Sequence, residues 1–344
     1  MPPLALPLDV QLTGADGAAL ADLARRAEAA GAARLWAPEL HRSATIPLAV
    51  AACATRTIEI ATGVALGFTR SPFTLTLEAL DLDELSGGRL VLGLGAGVRR
   101  LNETWHAVEY GPPVARMRDL VAAVRALVRG MARGEDVRWR SRHYPIAVTG
   151  YRRPHRAPRD RIPVWLAAVR PGMARLAGEI ADGLLDHPVT TPEWLRSELL
   201  PAVAAGSAAA GRPAPPVAGA AICAVDAERP LEARRAAALT IGFYATVRTY
   251  EPLFAAHGFA GRLPYIRRAF LDGDASRLAE AVGEEMVDVF AAAGTPQDAL
   301  ARLRRYEGVV ERLWLTPPHH AQGSDEVARW QRGILGLVVG GDAP

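Results

Sequence analysis

The sequence predicts an α/β fold, a (β/α)8 TIM barrel built as a single domain from residues 1–344. Two observations support this fold class. Short apolar runs alternate with helical patterns, which is typical of βα units around a parallel sheet. Eight such runs occur, and glycine and proline are spread along the chain without a linker-like boundary between domains.

The predicted strands are short apolar runs that end at turn residues. They occupy residues 4–12, 34–37, 58–64, 90–95, 162–168, 183–187, 216–225 and 313–315. Residues 135–161 carry many arginines and prolines, so we expect a hairpin or a surface excursion there. Residues 231–290 are rich in helical patterns and longer than one crossover, which predicts an insertion before the last strand.

Three helices between the strands are well marked. The first begins after Asp16, which predicts an N-cap, and ends near residue 30, before Gly31. A second is predicted over residues 73–85, where the Ser86-Gly87-Gly88 turn stops it. A third presents apolar residues at spacings of three and four from Met117 to Met131, so we expect both methionines in the core.

Composition and charge exclude two classes of partner. The chain contains no lysine, and its 40 basic residues are arginines interspersed with acids, for a net charge of +3. A nucleic-acid surface needs clustered basic residues, so we expect no nucleic-acid partner. No run approaches the roughly 18 apolar residues of a membrane span, so we expect no membrane partner. The start lacks an export signal, and Cys53 and Cys223 lack CxxC spacing, which favours buried thiols in a reducing cytoplasm.

In a TIM barrel the active site lies at the carboxyl ends of the strands. The side chains that follow the predicted strands are therefore the first candidates for chemistry. Four of them can hold or move a proton, namely Glu39, His41, Glu103 and His187. His319 and His320 follow the last strand and are expected to line the mouth of the substrate site. Adjacent histidines do not form the i, i+4 pair of a helical zinc site, so no metal site is predicted.

The segment from residue 68 to residue 127 contains the most specific pattern of the chain. It includes Arg70-Ser71-Pro72, the run DELSGGR at 83–89, the run LGLGAG at 92–97 and the pair Asn102-Glu103. We expect its strand-end glycines at positions where the backbone approaches a cofactor rather than the core. With Thr62-Gly63-Val64, residues 177–183 and Gly294-Thr295-Pro296, this pattern resembles the luciferase-like monooxygenase superfamily. It is most similar to the branch that uses the deazaflavin coenzyme F420.

The resemblance implies F420 as the cofactor, with FMN as the alternative. It implies that a non-prolyl cis peptide between Gly63 and Val64 supports the ring, next to Ala65. It also implies a phosphate region after the fifth strand, where Arg170 either binds phosphate or points to solvent. The other cofactor positions that it implies are Ala96, Gly97, Asn102, Ala168, Val169, His187, Thr190 and Thr191.

The resemblance leaves the catalytic acid open. Several relatives carry a glutamate directly after the glycines of the fourth strand, where this chain has Val98. Glu39, His41, Glu103 and His187 therefore remain the candidate catalytic residues. Thr190 and Thr191 either contact the cofactor tail or cap the helix that begins at Pro192.

Three functional hypotheses follow. The first is an F420-dependent oxidoreductase that transfers a hydride between deazaflavin C5 and a small organic substrate, reducing an activated C=C or C=N bond. The second is a monooxygenase that uses reduced FMN. The third, suggested by Val98, is a barrel that binds the cofactor without turnover. The resemblance also implies a homodimer formed through the helices at residues 46–54 and 73–85.

Overall fold

The computed structural model describes residues 4–340, and within them eight parallel strands close into a barrel. The ring runs β1-β2-β3-β5-β8-β9-β10-β12 and closes between β12 and β1. The strands are β1 (Leu8–Gln11), β2 (Arg34–Ala37), β3 (Glu59–Thr62), β4 (Ala65–Leu66), β5 (Leu90–Gly95), β6 (Val137–Trp139), β7 (Ile146–Val148), β8 (Val164–Ala167), β9 (Gly183–Leu185), β10 (Val217–Val225), β11 (Ala291–Gly294) and β12 (Arg312–Thr316). The predicted (β/α)8 barrel is confirmed.

Helices connect successive strands and cover the outside of the barrel. They are α1 (Gly17–Ala29), α2 (Thr45–Ala54), α3 (Pro72–Leu85), α4 (Pro113–Arg133), α5 (Pro171–Ile180), α6 (Pro192–Trp194), α7 (Leu200–Ala209), α8 (Pro230–Ala245), α9 (Glu251–Ala256), α10 (Leu263–Leu271), α11 (Ala275–Phe290), α12 (Pro296–Leu303) and α13 (Ser324–Val339). Two π-helical turns lie at Leu101–Trp105 and Leu195–Leu199, and 3₁₀ turns lie at Arg248–Tyr250, Ala260–Arg262 and Arg304–Tyr306. Across residues 4–340, no helix combines the length and the apolar character needed to cross a membrane.

The local signals in the sequence correspond to real elements. Asp16 caps α1 by accepting a hydrogen bond from the backbone N–H of Ala19. Met117 and Met131 are buried on the inner face of α4, as their spacing predicts. The arginine- and proline-rich segment contains the antiparallel hairpin of β6 and β7.

Two expectations need correction. The predicted insertion contains α8–α11, but β11 follows it directly and was not predicted. Three consecutive alanines form most of β11, and alanine carries no β-branched or alternating signal. β11 pairs with residues 222–225 at the carboxyl end of β10. β9 pairs with the same edge of β10 at Val217 and Ala218. Both cysteines are free thiols, but only Cys223 is buried, because Cys53 is exposed on α2.

Large rings and small side chains share the inside of the barrel. Trp36 stacks on Trp314 with 5.6 Å between ring centroids and meets Trp165 edge-on at 5.9 Å. Alanines at 61, 218 and 220 face the same space. Because small residues stand opposite the indoles, three large rings pack together inside the barrel.

A charged network closes the amino-terminal end of the barrel. Asp9 is fully buried and accepts a hydrogen bond from Trp36 Nε1 at 2.8 Å, and Arg312 Nε lies 3.6 Å from the same carboxylate. Arg34 pairs with Glu59 at 2.8 Å. Burial raises the pKa of Asp9 to about 6, although Arg312 and Arg34 oppose the shift.

The raised pKa of Asp9 predicts how the stability of the fold depends on pH. Between the unfolded pKa of 3.8 and the folded pKa of about 6, the folded state binds one more proton at Asp9. The contribution of Asp9 to the free energy of unfolding is therefore largest below pH 4 and falls by about 3 kcal/mol as pH rises past 6. We expect the free energy of unfolding of Asp9→Asn, measured relative to that of the wild type, to rise by about 3 kcal/mol between pH 4 and pH 7. Urea unfolding of both proteins across this range measures the difference, and a difference independent of pH would contradict the expectation.

Candidate functional site

Three glycines, at the end of β5 and in the loop after it, lie in close contact with residues 62–66. A Cβ on Gly95 would lie 2.5 Å from Val64 Cγ2, and one on Gly97 would lie 3.0 Å from Leu66 Cδ2. A Cβ on Gly93 would overlap the carbonyl of Thr62. We expected these glycines to make room for a cofactor. On the side that faces residues 62–66 this expectation is wrong, because the space there is filled by the protein's own chain.

This close approach shapes the end of β3. The peptide bond between Gly63 and Val64 is cis, as the resemblance implies. The chain then re-enters the sheet as β4, where Ala65 pairs with Leu94 of β5. As a result, Gly63, Val64 and Ala65 lie side by side with the end of β5 at the mouth of the barrel.

Asn102 fixes the loop that follows β5. Its Nδ2 donates hydrogen bonds to the carbonyls of Ala96 at 2.9 Å and Val98 at 3.1 Å. Gly97 adopts a φ of +63°, and a Cβ there would lie 3.1 Å from the Asn102 amide. The Oδ1 of Asn102 is buried and has no hydrogen-bond partner among the described residues. An unpaired buried acceptor of this kind suits a ligand that brings a donor.

Glu39 is engaged in holding the strand end. One carboxylate oxygen accepts the backbone N–H of Leu66 at 2.7 Å and Arg70 Nη1 at 2.8 Å, and the other accepts Arg70 Nη2. Arg70 also pairs with Glu78 at 3.1 Å. The Glu39 side chain is only 12% exposed, so the ion pair is largely shielded from water. Glu39 therefore ties the segment after β2 to the segment after β3.

Glu103 lies on the outside of the π-helical turn. It forms an i, i+4 ion pair with Arg99 at 2.7 Å, and both side chains are exposed. Among the four predicted proton-transfer residues, both carboxylates are thus paired with arginine. Within residues 4–340, the two histidines, His41 and His187, form no ion pair of this kind.

A cleft of about 190 Å³ opens between the segment after β2 and the π-helical turn. Trp105 forms its outer edge and is 66% exposed. The cleft is lined by Glu39, Leu40, His41, Arg42, Ser43, Leu66, Leu101, Trp105 and His106. A second cavity, of about 210 Å³, lies between α4 and the start of β8 and shares none of these residues.

Aromatic rings continue from the cleft across the mouth. The ring of His41 lies 6.0 Å from that of His319, and His319 lies 5.9 Å from Tyr244. His187 contacts Tyr244 at 4.7 Å and Tyr250 at 4.2 Å. We call His41, His187, His319, Tyr244 and Tyr250 the mouth cluster. Both tyrosines come from the insertion.

Burial keeps two imidazoles of the mouth cluster neutral. It lowers the pKa of His187 to about 3, with a smaller contribution from His319. It lowers the pKa of His319 to about 4, helped by repulsion from His41 and His320. At neutral pH the ring nitrogens of both residues therefore act as neutral hydrogen-bonding groups.

The expected phosphate region lies beside α5 and the turn after β9. Arg170 is exposed at the N-cap of α5, Ala168 is buried, and the Val169 carbonyl accepts Trp194 Nε1 at 3.2 Å. Thr190 Oγ1 accepts the His187 N–H at 3.3 Å. The structure thus brings these residues together along one rim of the mouth, and their role toward a cofactor remains a prediction.

Thr191 performs the capping role considered in the sequence. Its Oγ1 accepts the backbone N–H of Trp194 at 3.2 Å and lies 2.8 Å from Nε2 of His257. The second contact links the insertion to the turn after β9. His257, Tyr244 and Tyr250 were not predicted as mouth residues, although the aromatic content of residues 243–259 was an available signal in the sequence.

The two carboxylates should differ sharply when removed. Glu39→Ala leaves Arg70 and the Leu66 N–H without their shared partner, so we expect the free energy of unfolding to fall by about 3 kcal/mol. Glu103→Ala is the matched control, because an exposed pair contributes less than about 1 kcal/mol. Chemical denaturation measures both, and equal losses would contradict the structural role of Glu39.

Comparison with known proteins places this chain among its relatives. A family model described as luciferase-like monooxygenase matches residues 6–311. An uncharacterized protein of Mycobacterium tuberculosis is 32% identical over 317 residues, which covers 87% of this chain and 91% of that protein. The 5,10-methylenetetrahydromethanopterin reductase of Archaeoglobus fulgidus is 31% identical over 281 residues, which covers 76% of this chain and 77% of that protein.

A solved structure supports the same placement of the fold. The coenzyme F420-dependent tetrahydromethanopterin reductase from Methanopyrus kandleri aligns with a TM-score of 0.80 at 20% identity. The alignment covers 95% of this chain and 98% of that chain. The resemblance predicted from the sequence is confirmed: this chain belongs to the luciferase-like monooxygenase family.

Proposed function

We propose that this protein is an F420-dependent oxidoreductase that transfers a hydride between deazaflavin C5 and a small organic substrate. Reduction of an activated C=C or C=N bond is the proposed direction. The reductase names of the Archaeoglobus and Methanopyrus relatives, the second of them named as F420-dependent, support this class. The observation that carries the proposal is the cleft in which the His41 imidazole and Leu66, at the end of the Gly63–Leu66 segment, line the same space.

The residues at the mouth fit a deazaflavin ring. The ring carries N–H and O–H donors, and Asn102 offers a buried Oδ1 without a partner in the described part of the chain. Val64 is half-buried at the mouth, and Gly63 and Ala65 flank it against the end of β5. We propose that these residues hold the ring and that Ala168, Val169, Arg170 and Thr190 hold its phosphate-bearing tail.

When bound, F420 supplies a hydride-transferring carbon, and the protein supplies binding, orientation and protons. His41 lies in the open cleft and is proposed to hold the proton that the substrate gains or loses. Glu39 is proposed to act indirectly, because its contacts with Leu66 and Arg70 fix the segment that carries His41. The aromatic rings of the mouth cluster are proposed to exclude water from the reacting face.

Two alternatives are outcomes of the same tests. A monooxygenase would bind reduced FMN in preference to F420, which a competition between the two cofactors decides. A barrel without turnover would bind F420 but fail to oxidise its reduced form with any acceptor.

We also propose a homodimer formed through α2 and α3, where Ile46 and Leu85 are exposed apolar residues.

Cofactor binding is the first test of the proposal. We expect purified protein to bind F420 with micromolar affinity, measured by the change in deazaflavin fluorescence, and to bind FMN more weakly. Asn102→Ala removes the buried acceptor, so we expect about a tenfold loss of F420 affinity. Thr104→Ala, an exposed neighbour on the same π-helical turn, is the control. Absence of F420 binding by the wild type would exclude the proposed function.

Proton transfer is the second test. His41→Asn keeps a polar side chain but removes the imidazole, so we expect oxidation of reduced F420 by an accepted substrate to slow by about 10²–10⁴-fold. F420 affinity should stay within a factor of about three, because cofactor contacts are assigned to other residues. His155→Asn, in an exposed loop outside the cleft, serves as the control. Full activity of His41→Asn would assign the proton to another group.

A further inference from the structure

His319 closes the mouth on the side of the last barrel strand. Its backbone N–H donates to Thr240 Oγ1 of α8 at 3.2 Å, which docks the loop after β12 against the insertion. Its ring is surrounded by other rings, with Phe243 at 5.9 Å and Tyr244 at 5.9 Å. Backbone docking and ring packing therefore fix the position of this imidazole.

The two ring nitrogens of His319 are not equivalent. Nε2 is buried and has no hydrogen-bond partner among the described residues. The Pro317 backbone raises the pKa of the ring, as a hydrogen bond from the ring to its carbonyl does. A proline backbone offers only a carbonyl and Nε2 has no partner, so we assign the ring proton to Nδ1. Nε2 is then left with a free lone pair.

The charge state preserves that asymmetry. Burial, together with repulsion from His41 and His320, lowers the pKa of His319 to about 4. At neutral pH the ring is uncharged, so Nε2 accepts hydrogen bonds and does not donate them. The carboxylates nearest the cleft do not compete for a donor, because Glu39 is paired with Arg70 and Glu103 with Arg99.

His187, which also contacts Tyr244, has the opposite arrangement of hydrogen-bond donor and acceptor on its ring. Its Nδ1 accepts the backbone N–H of Val189 at 3.3 Å, so the neutral ring carries its proton on Nε2. Tyr244 contacts both rings, at 4.7 Å from His187 and 5.9 Å from His319. The mouth thus offers one imidazole donor and one imidazole acceptor with fixed tautomers.

Building on the proposed function, we propose that His319 is a specificity-determining residue whose Nε2 accepts a hydrogen bond from an N–H or O–H group of the substrate. The substrate class is an uncharged molecule that carries such a donor beside the bond that is reduced. A cyclic amide offers both kinds of group, an N–H that Nε2 of His319 can accept and a carbonyl to which Nε2–H of His187 can donate. A substrate methylated at the donor leaves Nε2 buried and unpaired, which costs affinity.

Matched ligands test this assignment. With the F420-loaded full-length protein, we would measure binding of 2-piperidone and N-methyl-2-piperidone, and of cyclohexanol and its methyl ether, through deazaflavin fluorescence. We expect the wild type to prefer the donor-bearing member of a pair about tenfold. His319→Asn should lose the preference. His319→Gln should restore it, because the Gln side-chain oxygen reaches the place of Nε2, whereas the Asn oxygen reaches only that of Nδ1.

Each outcome decides for or against the assignment. Equal binding within both pairs, no binding of either donor-bearing probe, or a preference that survives in His319→Asn would overturn it. Nitrogen NMR showing a proton on Nε2 of His319 at neutral pH would also overturn it. F420 affinity should be unchanged in both variants, which separates this test from the proposed function. If F420 itself does not bind, thermal shifts of the protein with the same lactam pair still test His319.

Discussion

The close approach of the third strand to β5 is the constraint on which the mouth depends. Alternate residues of a strand face the same side, so Gly93 and Gly95 of β5 open one groove, and Gly97 in the loop after β5 continues it. Thr62, Val64 and Leu66 occupy it in turn, each where a Cβ would otherwise stand. The groove allows β3 to end and restart as β4 against the same neighbour. A single side chain larger than hydrogen would push the proposed ring-binding segment out of the mouth.

The charges around the mouth follow from that geometry. The turned segment exposes the N–H of Leu66, and Glu39 accepts it while Arg70 neutralises the carboxylate. Glu39 and Glu103 are both paired with arginines, so the histidines are the remaining groups there that can exchange protons or hydrogen bonds. Burial keeps His187 and His319 neutral. The neutral rings around His187 and His319 favour an uncharged substrate group beside them, since an ion there would lose its hydration without gaining a partner from these rings.

Local and periodic signals could be predicted from the sequence, and long-range contacts could not. The strands, the Asp16 cap and the α4 stripe each depend on residues a few positions apart. The glycine run was recognised, but what fills it comes from a strand about thirty residues earlier. β11 was missed because alanine carries neither strand nor helix periodicity. The resemblance predicted the cis peptide between Gly63 and Val64, whereas the ion pair of Glu39 depends on the folded turn at Arg70.

The insertion and the barrel divide the mouth between them. The barrel and the loops after its strands carry the glycine groove and Asn102, which are proposed cofactor contacts, and the segment with His41, which is proposed to hold the proton. The insertion supplies Tyr244 and Tyr250, and its polar contacts with the barrel include Thr240, which accepts the His319 N–H, and His257, which meets Thr191. Changes within the insertion therefore alter the substrate side while the glycine groove stays intact. Relatives that keep the groove but differ between residues 231 and 290 should share a cofactor and differ in substrate, because the proposed cofactor contacts lie on the barrel side and the insertion supplies rings to the other side of the mouth.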